Sequence, residues 1–396
     1  MSRSDGARRP CIRDNRVMAS PTVVVAGLGD TGILVATRLA RTCRVVAVTT
    51  RPALVSGQEL GMRLTRPEQW RRHYFVPIDR FRRLDSVDVR HGRITSVDFQ
   101  TSTAFIESVD GEVDEIHYDA LIIATGVSNG FWRHDRVENL GMVELQIAES
   151  AHSLATAQVI AVIGGGATGV SVADNLARTG SHDVHLFHSG DEILPEHRPS
   201  ARRWATATLI RDGVTLHPRH RAVLPGGQAP EMITTGPVNW SSGQPPFAAD
   251  SVVWAVGAVR PHSSFLPGEV LDERGFVRVD HHLRVPGHEN VFAIGDVAAS
   301  DPLRSSARNW GHRVVVANVR RALQGRSPRR RFRAPKYRWG SIVGLQRDGL
   351  TVAMKGGGHM RIPRPLAEPL LYGAFVTRGL YGGLRESRNA DGENLG

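Results

Sequence analysis

Two glycine loops of one type constrain this chain more than anything else in it. The first is GLGDTG, Gly27 to Gly32, and the second is GGGATG, Gly164 to Gly169. Both have the form G-x-G-x-x-G, and each lies between a strand pattern and a helix pattern. Residues 22–26 (TVVVA) read as a buried strand, residues 33–41 carry helical spacing, and residues 44–48 (RVVAV) form a second buried strand. The unit recurs: residues 159–163 (VIAVI) lead into the second loop, residues 170–178 form its helix, and residues 183–187 (DVHLF) the next strand. In such a unit the first glycine permits a tight turn, the second lets backbone approach a pyrophosphate, and the third lets helix pack on strand. Free N–H groups at the helix start and the positive end of its dipole hold the phosphates. Two such units predict two dinucleotides, and therefore electron transfer between them.

Between the repeats, residues 87–118 alternate polar and apolar residues, which predicts a small antiparallel sheet with a turn near Asp110-Gly111. Similar short segments lie between Val214 and Val253. From Arg331 the pattern changes to strands with turns at Asp348-Gly349 and Gly356–Gly358, read as a separate C-terminal unit.

With 396 residues the chain has room for two or three domains. No run of about eighteen apolar residues occurs, so no membrane-spanning helix is expected. The first twenty residues are polar and arginine-rich, read as a disordered tail without a secretory signal, with Met18 as an alternative start. Cys11 and Cys43 are the only cysteines and no metal-ligand spacing exists, so no metal is expected and a reducing cytoplasm is the natural compartment. Cys43 is read as packing. The net charge of +11 is almost all arginine. Its densest run, Arg326 to Arg338, is read as a solvated linker, and no nucleic-acid motif accompanies it.

An acidic residue normally follows such a loop by about twenty residues and binds the ribose hydroxyls. Here Thr49-Thr50-Arg51 follows the second strand, and His188-Ser189 stands in the later unit. Thr49 can accept a hydrogen bond, and Arg51 can stack on adenine or meet a phosphate. His188 removes repulsion toward a 2′-phosphate, so NADH and NADPH both stay open.

Three more segments complete a pattern: YDALIIATG (118–126), DSVVWAVGAVRP (250–261) and GFVRVDHHLRVPGHENVFAIGDVA (275–298). With the two loops, in this order, they resemble the two-dinucleotide flavoprotein reductases over about residues 20 to 350. That group includes type II NADH dehydrogenases and the apoptosis-inducing-factor-like quinone reductases that suppress ferroptosis. HLFHSGDEILP and the GLQRDG turn, Gly344 to Gly349, are similar to the ferroptosis-suppressor type. The resemblance implies an α/β fold with two Rossmann-like dinucleotide-binding domains. A discontinuous FAD domain would span 21–135 and 258–330, an inserted NAD(P)H domain 136–257, and a C-terminal interface or dimerisation domain 331–396, after the tail at 1–20.

For FAD it implies Gly27, Gly29, Asp30, Thr31 and Gly32 at the pyrophosphate, with Thr49 and Arg51 beyond them. Arg63 would lie near the flavin, Thr125 and Gly126 against it, and Gly295 and Asp296 at the ribityl chain. For NAD(P)H it implies Gly164, Gly166, Thr168, Gly169, His188 and Gly257. The disulfide-reductase branch needs two cysteines beside the flavin, after the second strand. Residues 51–64 (RPALVSGQELGMRL) have none, so thiol exchange is excluded there.

The implied activity is an FAD-dependent NAD(P)H:acceptor oxidoreductase, with a quinone-like acceptor. Hydride transfer requires no acid or base, and no catalytic residue is named. Where type II NADH dehydrogenases carry glutamines, this chain has Asn309, Trp310 and His312; Trp310 is either an aromatic wall for the acceptor or core packing. Residues 365–386 are apolar, with glycines that argue against a long amphipathic helix and favour an internal or dimer contact over a peripheral membrane contact. Two other readings stay open: a reductase of an acidic iron–sulfur carrier, and a degenerate nucleotide-binding redox sensor.

Overall fold

The computed structural model describes residues 20–57, 59–128, 135–227, 230, 232–256 and 259–386. Gly257 lies outside the described residues, as do Met18 and the segment before it.

Thr22–Ala26 is buried on both faces, as a valine run without alternation predicts. It pairs in parallel with Arg44–Thr49 on one side and Ala120–Ile123 on the other. The sheet has seven strands in the order Val291–Ala293, Ala120–Ile123, Thr22–Ala26, Arg44–Thr49, Val87–Asp98, Thr103–Ser108, Val113–His117. The small antiparallel sheet is therefore not separate. Val87–Asp98 pairs in parallel with Arg44–Thr49 through its first half and antiparallel with Thr103–Ser108 through its second.

The second unit repeats the first. Val159–Ile163 lies between Asp183–Phe187 and Ser251–Trp254, all parallel, with Thr215–His217 outermost. Even single hydrogen bonds recur. Gly27 N donates to Val48 O and Gly164 N to Phe187 O, both at 2.8 Å. Ala124 N donates to Ala26 O and Ala255 N to Ile163 O, again both at 2.8 Å. Among the described residues between Thr215–His217 and Ser251–Trp254, however, no further strand forms; the chain there makes isolated bridges such as Val238 with Phe247. Where the chain passes between the two sheets, Val127–Ser128 pairs antiparallel with Arg260–Pro261.

The C-terminal unit is a three-stranded antiparallel sheet, Gly340–Gln346, Gly349–Ala353 and His359–Ile362, with turns where the glycines predict them. Residues 365–386, whose glycines argue against a long amphipathic helix, are nevertheless largely helical. Arg364–Ala367 is α-helical and Glu368–Leu380 continues as a π-helix, held in place by the packing of Tyr372 and Leu371. Cys43 sits in the core beside Leu39 and Val45, as expected.

The arginine run is half as expected. Its arginine side chains are largely solvated, but its backbone is pinned. Asn318, fully buried on the helix Gly311–Ala322, donates through Nδ2 to His282 O and Arg330 O at 3.0 and 2.8 Å. Its Oδ1 accepts from Arg329 N and Arg330 N, both at 3.0 Å. Phe332 is then buried in the core. Asn318→Ala removes four bonds and strands buried backbone groups, so it should cost about 3 kcal/mol. A urea midpoint that falls at constant slope would show this; a loss under about 0.5 kcal/mol would contradict it.

Candidate functional site

Both glycine loops open onto one cavity of about 1040 Å³. The three glycines of each loop do three different jobs, and the jobs repeat. Gly27 (φ 96°) and Gly164 (φ 125°) need the left-handed region, and a Cβ there would lie 2.6 Å from Ala124 O or 2.4 Å from Ala255 O. Gly32 and Gly169 sit on those first glycines, where a Cβ would come within 1.8 Å of Gly27 O or Gly164 O. Gly29 and Gly166 have nothing within 4 Å of a Cβ. They are the N-caps of Asp30–Leu39 and Ala167–Ala177, and neither helix start has a side-chain cap. Two bare helix N-termini thus face open space, which fits two pyrophosphates.

Of the residues assigned to the first dinucleotide, Gly27, Gly29, Asp30, Thr31, Thr49, Arg51, Thr125, Gly126, Gly295 and Asp296 line the cavity. Gly32 packs behind it. Arg63 is buried with its guanidinium 5.4 Å from the Trp70 ring centre and is not among the lining residues. Asp30 accepts from Ser56 Oγ at 2.9 Å. The Thr49 hydroxyl is used inside its own turn, donating to Arg51 O at 2.9 Å. Arg51 meets a carboxylate that sequence reading missed: its Nε donates to Glu138 Oε2 at 2.5 Å. Glu138 is 3% exposed and its backbone N–H donates to Thr50 O. The strand-end carboxylate is absent, and an acidic residue far along the chain holds an arginine there instead.

In the second unit, Gly166 and Thr168 line the cavity, while Gly164, Gly169 and His188 lie behind. The His188 ring packs under Gly165; burial lowers its pKa, which keeps it neutral, and its Nδ1 has no partner. Sequence reading found no arginine next to it. Arg219 comes near through its backbone, its N donating to Gly190 O at 3.1 Å, while its exposed side chain pairs with Asp191, Nε to Oδ1 at 2.6 Å.

The cavity also has an aromatic lining, with Trp310, Phe375, Tyr372, Tyr381, Tyr74 and Trp339 on its wall. Trp310 is not core packing. It is 37% exposed in a left-handed conformation (φ 61°), with Arg313 stacked 4.1 Å over its ring and Phe375 edge-on at 6.3 Å. Beside it His312 is 2% exposed, lines the cavity and has no partner on either ring nitrogen. Burial, with help from Arg38 and Arg313, pushes its pKa down to about 4. A neutral imidazole left unpaired at the start of the helix Gly311–Ala322 fits a polar group of a bound ligand. Among the described residues no cluster of histidine, cysteine and acidic side chains suits a metal.

The pyridine nucleotide-disulphide oxidoreductase model matches residues 21–324. The chain belongs to that family. Oxidoreductase ptaL of Pestalotiopsis fici is 33% identical over 72% of this chain and 74% of its own length. Ferroptosis suppressor protein 1 of Xenopus laevis is 28% identical over 60% of this chain and 64% of its own, so the match leaves a third of that relative uncovered. The water-forming NADH oxidase of Lactobacillus brevis, solved with NADH, superposes with a TM-score of 0.62 at 17% identity, over 84% of this chain and 75% of that one. That likeness shows the fold: two-domain and Rossmann-like, with parallel sheets.

The loop geometry separates binding from folding. Gly29→Ala should keep its melting temperature but weaken dinucleotide binding at least tenfold in equilibrium titration. Gly32→Ala should destabilise the chain by about 3 kcal/mol, the upper end for overpacking. Equal stability losses in the two variants would contradict these roles.

Proposed function

We propose that this oxidoreductase takes hydride from NAD(P)H onto FAD and passes the electrons to a quinone-like acceptor without a redox disulfide. The observation that carries this is the shared cavity: both glycine loops open into it, aromatic side chains line it, and among the described residues no cysteine is on its wall. The proposed units are 21–135 with 258–330 for FAD, 136–257 for NAD(P)H, and 331–396 as a C-terminal interface or dimerisation unit.

FAD, when bound, supplies the two-electron chemistry; the chain supplies position and field. Gly27, Gly29 and Thr31 would hold its pyrophosphate, Asp296 its ribityl chain, and Gly166 and Thr168 the pyrophosphate of NAD(P)H. The N-terminus of Gly311–Ala322, with His312, would stabilise negative charge on a group placed there. Trp310, Phe375 and Tyr372 would form an apolar seat for the acceptor. Among the described residues no helix is long and apolar enough to cross a membrane. Leu366, Leu370 and Phe375 are exposed on the C-terminal helices, which supports a peripheral contact there.

Purified with FAD, the protein should be yellow and should bleach on anaerobic mixing with NADH or NADPH. The faster donor settles nucleotide choice. A colourless chain that cannot take up FAD would overturn the proposal and favour a redox sensor. Quinone reduction should barely respond to salt, whereas an acidic iron–sulfur carrier would be reduced with a steep loss of rate as screening rises.

A further inference from the structure

Glu59 stands in the stretch where the disulfide branch would carry its cysteines. It precedes the helix Leu60–Thr65 in a left-handed conformation (φ 56°, ψ 43°), which a side-chain-bearing residue adopts at a cost. Its side chain reaches across to the C-terminal sheet. There Gly344 leaves a notch: a Cβ on Gly344 would sit 1.5 Å from Glu59 Oε2. The Leu345 backbone donates a hydrogen bond to the carboxyl. Glu59 also lines the cavity, together with Tyr74, Tyr372, His73 and Arg308. Two parts of the chain far apart in sequence are thus shaped around one carboxyl that touches the reaction space.

The groups facing it come from every side. Arg66 lies beyond its own helix and Arg308 on the loop before Gly311–Ala322. Tyr74 comes from the helix Pro67–Tyr74 and Tyr372 from the C-terminal π-helix, their hydroxyls 2.6 Å apart. Desolvation outweighs both arginines and raises Glu59 to about 7. Both tyrosines are pushed above their ordinary range and hold their protons. His197 and His312 on the same wall are pushed down to about 4 and are neutral. His73, beside Glu368, is lowered too, chiefly by burial.

We propose that Glu59 is the acid that protonates the acceptor, an inference that rests on the reading of the cavity as an NAD(P)H:quinone site. Reducing a quinone to a quinol takes two electrons and two protons. NAD(P)H is oxidised to NAD(P)⁺ and brings both electrons with one proton, as hydride. The second proton comes from Glu59: its O–H bond breaks, an O–H bond forms on the acceptor oxygen, and the carboxylate regains a proton from water. The net reaction consumes one solvent proton.

Glu59→Gln keeps the shape and removes the proton. Its quinone rate at pH 7, divided by its own ferricyanide rate, should fall at least tenfold below the wild-type ratio, because ferricyanide takes electrons without a proton. An unchanged ratio overturns the proposal. Glu59→Asp should restore part of the ratio, which also covers the case in which the glutamine variant does not fold. Thermal melting gives a readout without turnover. A carboxyl raised in the folded state binds its proton more tightly there than in the unfolded chain. Its stabilising effect is full below the unfolded value of 4.5 and is lost as pH rises through about 7. The melting temperature of Glu59→Gln minus wild type should therefore be larger at pH 8 than at pH 5. The same difference at both pH values overturns the proposal. Wild-type protein that reduces neither acceptor overturns the function proposed above, while the melting comparison still reports on Glu59.

Discussion

The contact of one glycine with another glycine's carbonyl governs both nucleotide units. Gly32 lies over Gly27 O and Gly169 over Gly164 O, closer than any side chain allows. That contact lets each helix follow its strand across a tight glycine loop of three residues. The first N–H groups of the helix therefore point into the cavity and stay uncapped. The strand must in turn be buried on both sides, and the valine and isoleucine runs supply this. The open start of each helix thus follows from two backbones in close contact.

The cavity is polar at its glycine loops and aromatic elsewhere on its wall, and the two linings come from different parts of the chain. Glu59 lines the cavity near Tyr74 and Tyr372, seated against Gly344. The same glycine-for-closeness logic thus appears a third time, now to admit a carboxyl rather than a helix. His312 adds an unpaired neutral nitrogen near Trp310. The site thus combines uncapped helix N-termini with histidines held neutral by burial. That suits chemistry in which a bound nucleotide carries the electrons and the protein controls protons and water.

Sequence reading located the strands beside both loops almost residue by residue, because buried parallel strands and glycine turns leave local signals. It also found the C-terminal hairpins from Asp348-Gly349 and Gly356–Gly358. It missed what only folding brings together. Glu138 acts on Arg51 from beyond the first sheet, and Arg219 reaches Gly190 from the neighbouring strand's end. Asn318 turns an apparently free arginine run into a pinned one with a single amide. The π-helix escaped because glycine content argues against helices in isolation, and packing overrode it. His312 was visible but unassigned, since orphaned ring nitrogens are a property of surroundings and not of a motif.

The seven-stranded sheet has a consequence for how this chain is made. Ala120–Ile123 is fully buried, and one of its two neighbours is Val291–Ala293. That neighbour emerges from the ribosome only after the whole second sheet has been synthesised. Until then the first sheet presents an open, wholly apolar edge, a template for pairing with other chains. The non-local pairing also makes closure of the sheet intrinsically slow. The strand Val291–Ala293, late in the chain, is therefore what closes the edge of a sheet begun at Thr22–Ala26.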